Sequence, residues 1–339
     1  MLKVAYIGNG KSTNRYHLPF ALNSGRVEVK TIFARHNNST WERLANVNYT
    51  NNLDDIYTDN ELDLVVVATP SAFHYQYAKE CLEHGKNVLV EKPFAQTVAQ
   101  AKELFELAQA KGLFIQAYQN RRFDSDFLTV QAVIESGKLG QLLEVENNYD
   151  YFRPEVPQSQ SELTWENSFL YTHACHTVDQ MLAYFGKPNQ VNYDVRQLLG
   201  RGRMNDYFDL DLNYDNLKVS VRSSYFRLKS RPSFVLTGTK GCFVKVSEDR
   251  QEQDLKHFYL PTKAHPDFGL DRPEDYGTLT YVDAAGNYHE EKVVSKVGDY
   301  SRLYEGVYQS LVNGAEKLVK DEETLAQIEI LERGFKLLR

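Results

Sequence analysis

In FLYTHACHTVDQML, residues 169–182, His173, His176 and Asp179 recur at intervals of three within a segment that reads as helical. Three residues advance an α-helix by about 300°, so each group lies roughly 60° round from the last, on one broad face. Two imidazoles and a carboxylate so placed can hold a metal, take a proton or pack. The spacing lacks the i, i+4 pair of H-E-x-x-H and no further ligand is evident, so no metal site is expected. Proton transfer and packing both stay open on these residues alone.

Other chemistry-bearing residues follow apolar runs. The turn IGNGKSTNRYH carries Gly8 and Gly10, the G-x-G of a dinucleotide fingerprint. The first glycine makes the tight turn, and the second lets the backbone reach a pyrophosphate at a helix N-terminus. Thr13 stands where the third glycine falls, so Ser12 or Thr13 is expected to supply the close helix contact or a hydroxyl to phosphate. An ordinary βα turn is the competing reading. The next apolar run ends TIFARHNNS, with Arg35 and His36 where an acid commonly meets the ribose hydroxyls of NAD. Arginine there is associated with a 2′-phosphate, so NADP is the expected cofactor and NAD the second choice.

Lys92, in VLVEKP, sits at the carboxyl end of an apolar run, where an ammonium can bind a substrate oxygen and stabilise alkoxide as hydride leaves. An exposed loop lysine is the plain alternative. Lys92–Pro93 is a candidate cis bond, whose cost proline lowers. Tyr118, Arg121 and Arg122 follow LFIQAYQN and are candidates for substrate or nicotinamide-proximal contacts, against the commoner use of paired arginines in salt bridges. YDYFRP, with Tyr151, and ELTWENSFLYTH add aromatic and polar groups suited to a sugar ring, or equally to sheet packing.

These residues need elements to hold them. KVAYIG, VEVKTIFA, LDLVVVATP, KNVLVEKP and LFIQAYQN read as buried strands, alternating with helices over residues 14–24, AFHYQYAKECLEHG and TVAQAKELFELAQAKG. That alternation specifies parallel pairing through right-handed crossovers, hence a doubly wound α/β sheet that binds ligands at the carboxyl ends of its strands. From residue 141 the chain becomes strand-rich without alternating helices, and residues 301–319 and 322–338 read as two closing amphipathic helices. With 339 residues, two domains are expected, 1–120 and 121–339.

Composition is that of an ordinary globular chain, 42% hydrophobic and 25% charged. A net charge of -7 argues against nucleic-acid or anionic-membrane partners and favours a small-molecule substrate. Cys81, Cys175 and Cys242 lack C-x-x-C spacing, as expected of reduced thiols. No apolar run approaches the roughly 20 residues of a membrane span, and MLKVAYIGNG enters a strand directly instead of a signal sequence. A cytoplasmic protein is expected.

ATPSAFH followed by VLVEKPF, then NRRFD, IESGKLG, CHTVDQML and EILERGF, resembles the Gfo/Idh/MocA oxidoreductases over nearly the whole chain, in a branch close to scyllo-inositol dehydrogenases. The resemblance implies an N-terminal Rossmann domain followed by a C-terminal α/β domain built on a large, mostly antiparallel sheet. It implies a catalytic Lys92 whose turn Glu91 and Pro93 fix, and a cofactor end at Thr69, Pro70 and His74, although His74 on its own reads rather as a packing residue at a helix start. It places the catalytic histidine at His176, three residues before Asp179. The family's aspartate one turn earlier is Thr172 here, which can orient an imidazole but cannot hold a compensating charge; His173 or Asp179 is the substitute to consider.

The expected function is NADP-dependent hydride transfer between nicotinamide and a secondary alcohol or ketone of a sugar, inositol or related polyol. The expected substrate-contacting set is Lys92, Arg121, Tyr151, Thr172, His173 and His176. A non-enzymatic NADP-binding sensor is the alternative, because the usual aspartate is missing. Family members are similar in pairing through the second-domain sheet, so a homodimer or homotetramer is expected.

Overall fold

Short apolar runs separated by helices build the parallel sheet that their order calls for. In the computed structural model, which describes residues 1–36, 40–246 and 249–338, six strands form one sheet. They are β1 (Leu2–Ile7), β2 (Val27–Phe33), β3 (Asn48–Thr50), β4 (Leu64–Val67), β5 (Val88–Val90) and β6 (Ile115–Ala117). Their order is β3-β2-β1-β4-β5-β6 and every pairing is parallel. Val4 to Ile7 and Val65 to Val67 are wholly buried, which is why these strands read as continuous apolar runs and not as alternations. The strand order reverses between β1 and β4, so the ligand crevice opens beyond Ile7 and Val67. Helix Val98–Lys111 is capped by Thr97, whose hydroxyl accepts from Gln100 N at 3.2 Å, and ends on Gly112 at φ 66°.

A single cut at residue 120 does not describe the chain. Its two compact units are residues 1–120 with 258–266 and 300–329, and residues 121–257 with 267–299 and 330–339. Helix Ser301–Asn313 belongs to the first unit because Tyr304 buries its hydroxyl against Tyr6 of β1 at 3.0 Å. That helix stops at Asn313, short of residue 319, because Gly314 takes the left-handed conformation at φ 68° and ends it. The final helix runs Asp321–Lys336.

The second unit carries an eight-stranded mixed sheet: β7 (Leu142–Asn148), β8 (Gln190–Arg196), β9 (Tyr207–Asn213), β10 (Lys218–Ser224), β11 (Phe234–Gly238), β12 (Gly241–Lys245), β13 (Gly277–Val282) and β14 (Tyr288–Val293). The order is β14-β13-β12-β11-β7-β10-β9-β8, antiparallel throughout except for β7 with β10. In β9 the buried Phe208, Leu210 and Leu212 alternate with Asp209, Asp211 and Asn213. The opposite face is therefore polar: Arg222 pairs with Glu146 at 3.1 Å and Asp209 at 3.0 Å. Cys81, Cys175 and Cys242 are free thiols, and among the described residues no helix is long and apolar enough to cross a membrane.

Candidate functional site

The turn after β1 is fixed by one contact. Gly8 has φ 121°, and a Cβ there would stand 2.2 Å from the Ala68 carbonyl oxygen, so only glycine lets β1 and β4 meet this closely. A Cβ on Gly10 would meet nothing within 4 Å, so packing does not explain this glycine; its open backbone is what close approach of a phosphate group requires. Residues 14–24 are not one α-helix. Thr13–His17 forms a π-helical turn, and the α-helix Leu18–Asn23 begins after it with Pro19 in its first turn. Thr13, at the start of the π-turn, is wholly buried, and its hydroxyl donates to Gly8 O at 2.7 Å. The Ser12 hydroxyl donates to the Glu91 carboxylate. Both hydroxyls are thus engaged inside the unit, with Thr13 making the close contact in place of the third glycine.

Beyond β5, the Glu91 carboxylate gathers three donors: Ser12, His17 Nε2 at 3.1 Å and the Lys92 backbone N–H at 2.8 Å. Burial pushes the Glu91 pKa up, but the hydrogen bond from His17, the Lys92 charge and the Ser12 hydroxyl outweigh it and hold it below the usual carboxylate range. The following Lys92–Pro93 bond is cis, and Lys92 is half-buried. His74, 1% exposed, spans the crevice floor: Nδ1 lies 2.8 Å from Pro93 O and Nε2 lies 2.8 Å from Thr69 O. Burial lowers its pKa, against the two carbonyls, which favour the protonated ring. His74 therefore ties the end of β4 to the lysine turn, while Thr69 is half-buried and Pro70 exposed beside it. Tyr118 does not face a ligand; it is fully buried, stacked on His17 at 3.9 Å, with its hydroxyl donating to Tyr16 O.

Arg35 and His36 are exposed just past β2. The Arg35 guanidinium lies 4.2 Å over the Phe73 ring and donates to the Tyr77 hydroxyl from Nη2 at 2.9 Å, which holds a cation in place at the strand end.

In the second unit the arginine pair is structural. Arg122 grips both carboxylate oxygens of Asp179, at 2.8 and 2.7 Å, with both residues buried. Removing one partner of such a pair typically costs about 3–5 kcal/mol, so Asp179 is committed to Arg122 and does not serve as a proton acceptor. Arg121 meets Asp124 at 3.2 Å, Glu252 at 3.1 Å and the Tyr149 hydroxyl at 3.1 Å. The segment around the histidines also departs from a plain α-helix: Leu170–Ala174 is π-helical and Cys175–Phe185 α-helical. The Thr172 hydroxyl donates to Ser168 O at 2.9 Å and meets His173 Nδ1 at 2.9 Å, which places the ring proton of His173 on Nδ1. Tyr151 stands edge-on to His173 at 5.1 Å, with Tyr225 and Phe169 adjoining; His176 is half-buried. Trp165 is stacked on Phe335 at 3.8 Å and is packing. Among the described residues no group of three His, Cys, Asp or Glu side chains could hold a metal.

His17 and Tyr304 were not legible as site residues. Their partners lie 74 and 287 positions away in sequence, and nothing local in NRYHLP marks an imidazole that will meet a carboxylate.

Residues 2–119 match the family model described as oxidoreductase family, NAD-binding Rossmann fold, and residues 131–337 match its C-terminal α/β domain. The chain is 44% identical to the protein named uncharacterized oxidoreductase YhhX of Escherichia coli (strain K12), over 99% of this chain and 96% of that one. It is 30% identical to scyllo-inositol 2-dehydrogenase (NADP(+)) IolW of Bacillus subtilis (strain 168), over 98% of this chain and 93% of that one. The crystal structure of an oxidoreductase from Bacillus cereus superposes with a TM-score of 0.92 at 43% identity, covering 99% of this chain and 96% of that one.

Proposed function

The chain belongs to the Gfo/Idh/MocA oxidoreductases, and from that premise we propose that it transfers hydride between NADP and a secondary alcohol or ketone of a sugar, inositol or related polyol. The observation that carries the reading is Lys92: half-buried at the carboxyl end of β5, on a turn that Glu91 and His74 hold from two sides. When bound, the nicotinamide ring supplies or accepts the hydride. Lys92 binds the reacting oxygen and stabilises the negative charge that develops there. His176 takes or returns that oxygen's proton at an imidazole nitrogen. Ser12 and Thr13 have their hydroxyls engaged inward, so phosphate contacts fall to the backbone of the turn opened by Gly10. Tyr151 and His173 supply an aromatic edge and a polar atom for a sugar ring. Membership in an oxidoreductase family speaks against the sensor alternative, and the name of the IolW relative supports both NADP and an inositol.

The test is consumption of NADPH and NADH across a panel of inososes and keto-sugars. Turnover of at least one, faster with NADPH, is expected; cofactor binding without turnover of any would sink the reading. A guanidinium on the 2′-phosphate contributes about 1.5–3 kcal/mol, or roughly ten- to a hundred-fold in affinity. Arg35→Ala is therefore expected to remove most of the preference for NADPH in a binding titration, whereas equal affinities in the unaltered protein would remove the basis for assigning NADP. A cytoplasmic setting and pairing of two or four copies through the polar face of the second-unit sheet belong to the same reading. Sedimentation showing only monomer at micromolar concentration would rule the pairing out.

A further inference from the structure

We infer that His17 is the positioning residue of the Lys92 turn, acting through the Glu91 carboxylate; this rests on the reading of Lys92 given above. His17 is wholly buried, and every side of its ring is defined. Nε2 lies 3.1 Å from Glu91 Oε1, Nδ1 lies 2.7 Å from the Tyr304 hydroxyl, and Tyr118 stacks on the ring at 3.9 Å. The Tyr304 hydroxyl is in turn 3.0 Å from that of Tyr6. One proton arrangement satisfies the whole chain: Tyr6 O–H donates to the Tyr304 oxygen, Tyr304 O–H donates to Nδ1, and Nε2–H donates to Glu91. An imidazole that merely filled space would not need a two-tyrosine chain to select its tautomer.

The consequence falls on Lys92. Glu91 Oε1 is held by His17 and Ser12, which sets the rotation of the carboxylate and so places Oε2 against the Lys92 backbone N–H at 2.8 Å. That hydrogen bond fixes the backbone from which the ammonium extends. Ser12 belongs to the turn after β1 and Glu91 to the turn after β5, so His17 locks the cofactor turn and the lysine turn to one carboxylate. With His17 removed, Ser12 alone restrains Oε1, the carboxylate swings, and Lys92 loses its register. A misplacement of about 1 Å at a reacting group can cost about 10²-fold.

The test compares His17→Leu, which fills the space without a donor, with His17→Gln, whose amide N–H reaches Glu91 from nearly the place of Nε2. Three readings are taken on the full chain: kcat, the NADPH dissociation constant, and the NMR resonance of reductively ¹³C-methylated Lys92, assigned by its absence in Lys92→Arg. His17→Leu is expected to lower kcat by roughly ten- to a hundred-fold, to leave NADPH affinity within about threefold, and to shift the Lys92 resonance. His17→Gln is expected to recover most of kcat and of the resonance position. If the unaltered protein turns over no panel substrate, the functional reading fails while the resonance still decides this one. A Lys92 resonance unmoved in folded His17→Leu overturns the inference, as does an equal loss of kcat in the two variants. Should His17→Leu not fold, Tyr304→Phe replaces it: the ring stays, Nδ1 loses its donor, and a smaller Lys92 shift in the same direction is expected, with no shift overturning the inference.

Discussion

Lys92→Met is expected to lower kcat by about two to three orders of magnitude while the NADPH dissociation constant stays within about threefold. Methionine keeps the length and most of the volume of lysine, so the half-buried position stays filled and the change isolates the charge. An ammonium near a carbonyl or carbinol oxygen interacts weakly while that oxygen is neutral and strongly once it carries alkoxide character. Its loss therefore raises the barrier more than it weakens binding, which is the signature of a group acting in the transition state. Lys92→Arg is the informative companion. It restores the charge but spreads it over a wider, planar group that cannot stand where a compact ammonium stands, so it is expected to recover only a minor part of the rate. Steady-state rates with a substrate found in the panel, set beside NADPH fluorescence titrations, check both variants. Turnover of Lys92→Met within about twofold of the unaltered protein would remove Lys92 from the site.

What sequence reasoning could see here was set by range. Alternating apolar runs and amphipathic stretches give the parallel sheet because crossover handedness leaves few other ways to pair such strands. Gly8 was legible because a glycine after the first strand marks a tight turn locally, although the Ala68 carbonyl that forbids a Cβ there is distant in sequence. Arg35 lies two residues past the end of β2, where the order of the apolar runs puts it. Pairings across long separations were not. Asp179 looked like a partner for the histidine three residues before it, yet Arg122, 57 positions away, holds both of its oxygens. Helix Ser301–Asn313 looked like part of the second domain because it follows that domain's strands, whereas Tyr304 packs it on the first unit.

The two π-helical turns are a further departure from the helices expected there, and both lie beside candidate site residues. Sequence patterns are read at 3.6 residues per turn, so a single inserted residue rotates everything beyond it relative to what came before. In the first of the two turns Thr13 is buried with its hydroxyl on Gly8 O, and in the second the Thr172 hydroxyl meets His173 Nδ1. Composition carries no mark of such an insertion, since neither segment contains a proline or glycine that would announce it.

His173 lies in the second of these turns and His176 just beyond it, so substitution decides which moves the proton. His176→Ala is expected to lower kcat by about 10²- to 10⁴-fold with cofactor affinity intact, the usual range for a general base. His173→Ala is expected to cost far less, because Thr172 fixes its Nδ1 and Tyr151 stands against its edge, which suits orientation of a ring hydroxyl better than exchange of a proton. The order of these two effects separates the candidates, and a loss of thermal stability without loss of kcat would mark either as packing. Thr172→Asp then asks which imidazole senses position 172. A carboxylate nearby favours imidazolium and raises the imidazole pKa, so the base form is reached at higher pH and the acidic limb of the oxidation profile moves up. Should that shift persist in the double variant with His173→Ala and vanish with His176→Ala, position 172 acts on His176 as the catalytic base. The reverse pattern, with His176→Ala turning over normally, would make His173 the proton carrier and His176 a bystander.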